Sequence, residues 1–366
     1  MNARRSQVKE PDSSTFHWIF KFGPKHQVDT GDQSKFSPGG PLSSDSGDNL
    51  GNDHSNDPKT SSGDEMEIDS NASDLETDEP IAPDDLRSVA TRSFLSWLSM
   101  DVQSDQHPRI FWISGKPGSG KSKFLKSIIE DTRTRDLIGQ SALILSCFVW
   151  RTGSELMQRS IQGLACSLLY QLLLEDEVLC DRLLTDPRTQ REKDYGDWSL
   201  KDLKDVLKAS LQITGKPVCI FLDGLGEIDP SEDRMDLLNW VEELSRIHQV
   251  KICVSSRPEV EFRSRLQGFP SFPLHYLTSQ DILNYVFNAF YPDFISRDQF
   301  SDLCQLVRAA CSKSDGVFLW VVLVVKTVVT GIIKHDTPSE LQERLEALPS
   351  EIPELCETMW KRLDPT

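Results

Sequence analysis

Residues 109–122 read RIFWISGKPGSGKS, a short apolar run (Ile110–Ile113) that passes straight into Gly115-Lys116-Pro117-Gly118-Ser119-Gly120-Lys121-Ser122. This run satisfies G-x-x-x-x-G-K-[ST]. Its glycines let backbone N–H groups turn inward around a phosphate where a Cβ would obstruct them. Lys121 reaches the β- and γ-phosphates, and the Ser122 hydroxyl is placed to ligate Mg²⁺. Apolar residues at helical spacing follow (Phe124, Leu125, Ile128, Ile129), predicting a helix from about Ser119 to Glu130 whose N-terminal dipole points at the same anion. The expectation is a nucleoside-triphosphate site at the start of an α/β domain.

The flanking sequence fits that class. A helix carrying Phe94, Leu95, Trp97 and Leu98 precedes the loop. Predicted strands at Ala142–Val149, Pro217–Leu222 and Val250–Val254 alternate with helices at Glu155–Leu174, Leu200–Leu211 and Met235–Ile247. Such alternation implies a parallel sheet covered by helices on both faces. Beyond about Thr278 the strands stop. Asp281–Phe290, Phe300–Cys311, Val317–Ile333, Ser339–Leu348 and Pro353–Leu363 all read as helices, hence a small all-helical domain. The expected organisation is therefore a short N-terminal segment with an aromatic cluster (1–23), a disordered acidic linker (24–85), a nucleotide-binding domain (86–275) and a helical domain (276–366).

The net charge of −17 over 366 residues is local: Pro41–Asp85 holds 14 acids against one base, leaving −4 for the rest. That stretch has almost no large apolar groups and cannot repay its ordering entropy. The remainder shows no basic face, so no nucleic-acid partner is expected. Eight cysteines without a C-x-x-C pair indicate buried thiols in a reducing cytoplasm. Val317–Ile333 is 17 residues long and almost wholly apolar, but Lys326 would lie near mid-bilayer. It is expected to be a core helix with Lys326 at the surface, not a membrane span. The cluster Phe16-His17-Trp18-Ile19-Phe20 either docks on the folded body or forms an exposed interaction peptide.

A phosphate loop needs a metal-holding acid at the end of a neighbouring strand. Val218–Leu222 followed by Asp223 supplies it, so Asp223 is expected to hold Mg²⁺ opposite Ser122. Glu227, four residues on, is the remaining acid close enough to polarise an attacking water. Ile252–Ser256 delivers Arg257 to the carboxyl edge of the sheet, where γ-phosphate charge would be sensed. Asp223-x-x-Gly226 and Ser312-Lys313-Ser314-Asp315 imitate guanine-nucleotide motifs, but the second falls between two predicted helices and not at a strand end.

Several stretches resemble, in order, the NACHT-type members of the STAND signalling ATPases, and particularly fungal heterokaryon-incompatibility proteins related to NOD-like receptors. These are FWISGKPGSGKS (111–122), SCFVWRTGSELMQRSIQGLACSLLYQLL (146–173), CIFLDGLGEID (219–229), KICVSSRPE (251–259), LTSQDILNYV (277–286) and SDGVFLWVVLVV (314–325). The resemblance runs from about Phe94 to Pro365. It implies ATP/ADP as the nucleotide, with GTP left open by the lack of a base-reading motif, and Mg²⁺ as the ion. It gives Lys121 and Ser122 to phosphate and metal, Asp223 to the Walker B acid and Arg257 to a sensor. It further implies a switch that exchanges ADP for ATP, opens, self-associates or engages signalling proteins, and has weak turnover at most. One departure bears on hydrolysis: such proteins usually carry an acid at the position of Gly226, so that only Glu227 remains of a consecutive pair. No winged-helix or ligand-sensing repeat resembling theirs is recognised before Thr366.

Overall fold

The computed structural model describes residues 3–9, 15–20, 83–100, 108–184, 198–290 and 300–363. All of them fall within the unit formed by Met1–Gly23 and Ala82–Thr366. The linker expected over 24–85 lies outside the described residues up to residue 82.

In chain order the elements are α1 (Ala3–Gln7), a 3₁₀ turn at His17–Phe20, α2 (Pro83–Ser99), β1 (Ile110–Ser114), α3 (Lys121–Glu130), α4 (Thr132–Ile138), β2 (Leu143–Phe148) and α5 (Ile161–Glu175). Then come α6 (Glu177–Leu184), α7 (Leu200–Ile213), β3 (Val218–Asp223), α8 (Arg234–Ser245), β4 (Val250–Ser256), α9 (Val260–Leu266), β5 (Ser271–Pro273) and α10 (Leu274–Leu277). Five helices follow: α11 (Ser279–Phe290), α12 (Phe300–Ser314), α13 (Phe318–Ile333), α14 (Pro338–Glu346) and α15 (Ile352–Leu363).

The five strands form one sheet in the order β2-β3-β4-β1-β5, and every neighbouring pair is parallel. Alternate side chains of these apolar strands enter opposite cores, which is why the strands read as continuous apolar runs. Trp112, Ile220, Leu222 and Ile252 pack with α5, α7 and α8. Phe111, Ile113, Phe221 and Cys253 pack on the other face with α2, α3 and the 3₁₀ turn. The expected α/β fold is thus present. Because β4 lies between β3 and β1, the ends of the three strands carrying Asp223, Arg257 and the phosphate loop are adjacent.

The structure corrects the sequence reading in three places. The single helix expected over Glu155–Leu174 is broken. A 3₁₀ turn at Leu156–Gln158 precedes α5, whose start is set by the Ser160 side chain accepting from Gly163 N–H at 3.0 Å. A fifth strand, β5, is present at the sheet edge although only three residues long and ending in Pro273. The short helices α4, α6, α9 and α10 also had no counterpart in the periodicity.

The aromatic cluster docks on the body. Phe16, Trp18 and Ile19 are buried, Phe16 meets Phe124 edge-on at 5.3 Å, and Trp18 Nε1 donates to Asp281 at 3.0 Å. Burial of side chains of this size contributes about 1.5–3 kcal/mol each, enough to fix the segment against α3 and α11. Trp320, Val321, Val324 and Val328 of α13 enter the core of the helical region while Lys326 is exposed, as the sequence implied. Among the described residues no helix is long and apolar enough to cross a membrane.

Candidate functional site

The loop after β1 is held open by backbone geometry. Gly120 takes φ 96°, a left-handed value that a side chain disfavours, and caps α3 without any side-chain hydrogen bond. The first N–H groups of α3 therefore stay available to an anion. Lys121 Nζ donates to the carbonyls of Gly115 at 2.6 Å and Lys116 at 3.0 Å, so the loop folds around its own lysine. Burial lowers the Lys121 pKa to about 8, although the nearby charge of Asp223 pulls the other way. Beneath the loop, the Ser119 hydroxyl is buried with no partner among the described residues.

Asp223 ends β3 at 1% exposure. The Ser255 hydroxyl, from β4, donates to Oδ1 and itself accepts from Gly224 N–H at 3.1 Å. The other carboxylate oxygen, Oδ2, is buried with no hydrogen-bond partner among the described residues. Burial pushes the Asp223 pKa up, against the charge of Arg4 and the two hydroxyls of Ser122 and Ser255. A buried, unsatisfied carboxylate oxygen near a serine hydroxyl at the mouth of a phosphate loop fits an oxygen-ligated divalent cation such as Mg²⁺.

Pro117, Gly118, Gly120, Lys121, Ser122, Asp223, Glu227 and Arg257, eight of the residues singled out from sequence, line one cavity of about 410 Å³. Gly115, Lys116 and Ser119 do not line it. The first two hold Lys121 through their carbonyls, and the Lys116 ammonium instead forms an ion pair with Asp315. Glu227 is engaged by Arg4 and accepts from Arg151 N–H at 3.4 Å. Arg257 sits half-buried at the cavity wall near Lys121.

The cavity also has an apolar lining from Phe16, Tyr285, Phe318, Leu319 and Val322, of which Phe16 and Leu319 stand against the loop glycines Gly120 and Gly118. Phe318 lies 6.4 Å from Phe16 and 6.3 Å from Tyr285, ring centre to ring centre. The cavity therefore offers cationic and hydroxyl groups together with aromatic faces. Part of its wall belongs to the helical region, which is tied to the phosphate loop: Leu319 N–H donates to the Gly118 carbonyl at 3.0 Å. Gly118 (φ 74°) makes this approach possible, because a Cβ there would lie 2.8 Å from Leu319 Cβ.

Arg4, Ser255, Phe16, Tyr285 and Phe318 were not legible as site residues. Ser255 belonged to a stretch chosen for its arginine, and Phe318 to a helix read only as core. Position 4 carries no local signal.

Residues 88–257 match the family model described as Nephrocystin 3, N-terminal. No curated protein matches the sequence. Among solved structures, Drosophila ORC bound to DNA is similar, at 14% identity and a TM-score of 0.41 over 73% of this chain. This chain spans 60% of that one.

Proposed function

We propose that this chain is a NACHT-type nucleotide-binding switch, taking ATP or ADP with Mg²⁺ in the cavity between the sheet and the helical region. The observation that carries the reading is the mixed lining of that cavity. Lys121 and Ser122 line it together with the rings of Phe16, Tyr285 and Phe318, and Leu319 of α13 is bonded to the loop that would move with the phosphates. Phosphates lie along Lys121, with Arg257 positioned to respond to a third phosphate. The base rests among Phe16, Tyr285 and Phe318, without the polar readout that would separate adenine from guanine. Ser122 and Asp223 hold the metal, which when bound neutralises charge on the outer phosphates.

Glu227 is the one group that would polarise a water. Gly226 supplies no second acid. The corner its side chain would enter is lined by Glu259, whose oxygens lie 3.7 and 3.8 Å from an ideal Cβ. Turnover is accordingly slow, and nucleotide state acts by moving α13 and the helices packed on it, opening a surface for self-association or for a signalling partner.

The test is to denature the purified protein, identify any released nucleotide, and measure particle size by light scattering with ADP and with a Mg²⁺-bound ATP analogue. Released ADP and a larger particle with the analogue are the expected results. Neither bound nor bindable nucleotide overturns the reading, and binding without a size change removes the switch from it. Phe318→Ala is expected to weaken nucleotide binding roughly tenfold, in line with an aromatic–base contact of about 1–3 kcal/mol. The same variant should bind pyrophosphate as the wild type does, which calorimetric titration of both ligands checks.

A further inference from the structure

Arg4 reaches the cavity from α1, more than 100 residues from the phosphate loop in sequence. Its Nη1 donates to the Val149 carbonyl and to Glu227 Oε2; its Nη2 donates to Glu227 Oε1 at 3.0 Å and to the Ser122 hydroxyl at 3.3 Å. All four terminal N–H groups are thus engaged with protein acceptors, leaving only Nε for any incoming phosphate. The acceptors are telling. Ser122 Oγ is the hydroxyl that would ligate a metal, Glu227 is the acid beside it, and the charge of Arg4 also acts on Asp223. A cation already stands among the groups that would bind Mg²⁺.

The helix bearing Arg4 is itself anchored away from the cavity. Arg5 donates to the Ser146 hydroxyl at 3.3 Å and pairs with Glu130 at 3.4 Å, while Lys126 Nζ donates to the Val8 carbonyl at 2.8 Å. These contacts aim the guanidinium at Ser122 and Glu227.

Resting on the reading of this cavity as a Mg²⁺–nucleotide site, we propose that Arg4 is a displaceable plug of the metal position, expelled when Mg²⁺ arrives with nucleotide. Two cations compete for Ser122 Oγ and the adjoining carboxylate of Glu227, and the two positive charges repel at contact distance. Expulsion breaks the contacts of Arg4 with Ser122 and Glu227 together. It frees the acid and loosens α1 from the sheet, so that the N-terminal segment reports the Mg²⁺–nucleotide state. Nucleotide without metal leaves Arg4 in place.

The full chain is titrated with a fluorescent ATP analogue in EDTA and in Mg²⁺, as wild type, Arg4→Ala and Lys121→Ala. For Arg4→Ala the gain in affinity given by Mg²⁺ should be about tenfold larger than for wild type. Hydrogen exchange on the wild type should show residues 3–9 losing protection with Mg²⁺ and nucleotide but not with nucleotide in EDTA. Loss of affinity by Arg4→Ala in both conditions would make Arg4 a phosphate ligand and overturn the plug, as would an unchanged Mg²⁺ gain or unchanged protection of 3–9. Lys121→Ala separates the two levels. If it loses binding while Arg4→Ala behaves as wild type, the nucleotide site stands and only the plug fails. If the wild type binds no nucleotide, both fail.

Discussion

Lys121→Met is expected to lose at least about 100-fold in affinity for a nucleoside triphosphate, measured by calorimetric titration. The ammonium sits at the head of α3 inside the phosphate loop, where solvent screening is weak, and hydrogen bonds to charged groups contribute about 1.5–3 kcal/mol each. A triphosphate offers this ammonium more than one oxygen, so the loss exceeds that of a single bond. Methionine keeps the apolar stem and removes only the charge and its donors. The same substitution has a second signature that needs no ligand. Burial lowers the Lys121 pKa from 10.5 to about 8, so between those values the folded chain binds fewer protons at this site than the unfolded chain. Wild-type stability from this residue therefore rises with pH across that window, while below pH 8 the full penalty of holding a buried ammonium is present. The melting temperature of wild type relative to Lys121→Met should become more favourable from about pH 8 to pH 10. A flat difference would mean that the ammonium is solvated and the loop is not closed around it.

The sequence revealed those parts of the site that are built locally. A phosphate loop is one strand, one turn and one helix start, so glycine placement and apolar periodicity specify it within 14 residues. Asp223 and Arg257 were equally legible, because each terminates an apolar run long enough to be a buried strand, and parallel strands end at the same edge. What escaped were groups whose meaning comes only from packing. Ser255 matters because β4 lies beside β3, a neighbour relation that no linear pattern encodes. Phe16 and Phe318 come from segments about 300 residues apart that converge over the loop. Arg4 is one of two adjacent arginines in a five-residue helix, and only the fold decides that one enters the cavity while the other stays with Glu130 outside. The break before α5 was missed because apolar spacing runs through it, whereas the Ser160 cap and the Glu232 carboxylate, which accepts from Ile161 N–H at 2.7 Å, set the helix start.

Asp223→Asn should remove the contribution of Mg²⁺ to triphosphate binding, bringing the affinity in Mg²⁺ down to its EDTA value, a fall of about 100-fold at a cost of about 1.4 kcal/mol per tenfold. The shape of the residue is kept, and its Oδ1 still accepts from Ser255, so the sheet edge is undisturbed. What disappears is the negative charge on a buried carboxylate whose second oxygen has no protein partner among the described residues. That charge is unfavourable to the nucleotide-free fold. Burial raises the Asp223 pKa above its ordinary 3.8, so from that value up to the folded-state value the folded chain holds a proton that the unfolded chain has released. Stability from this residue therefore falls as pH rises through the window. Thermal melts without ligand should place Asp223→Asn above wild type at pH 7.5, with the gap narrowing as pH is lowered towards 4. Adding Mg²⁺ and nucleotide should reverse the order, because only the wild type gains a cation to satisfy the buried, unpartnered Oδ2. A carboxylate that weakens the empty fold and strengthens the loaded one is placed for binding rather than for stability. If the two proteins melt alike under both conditions, Asp223 caps a strand end and the metal is held elsewhere.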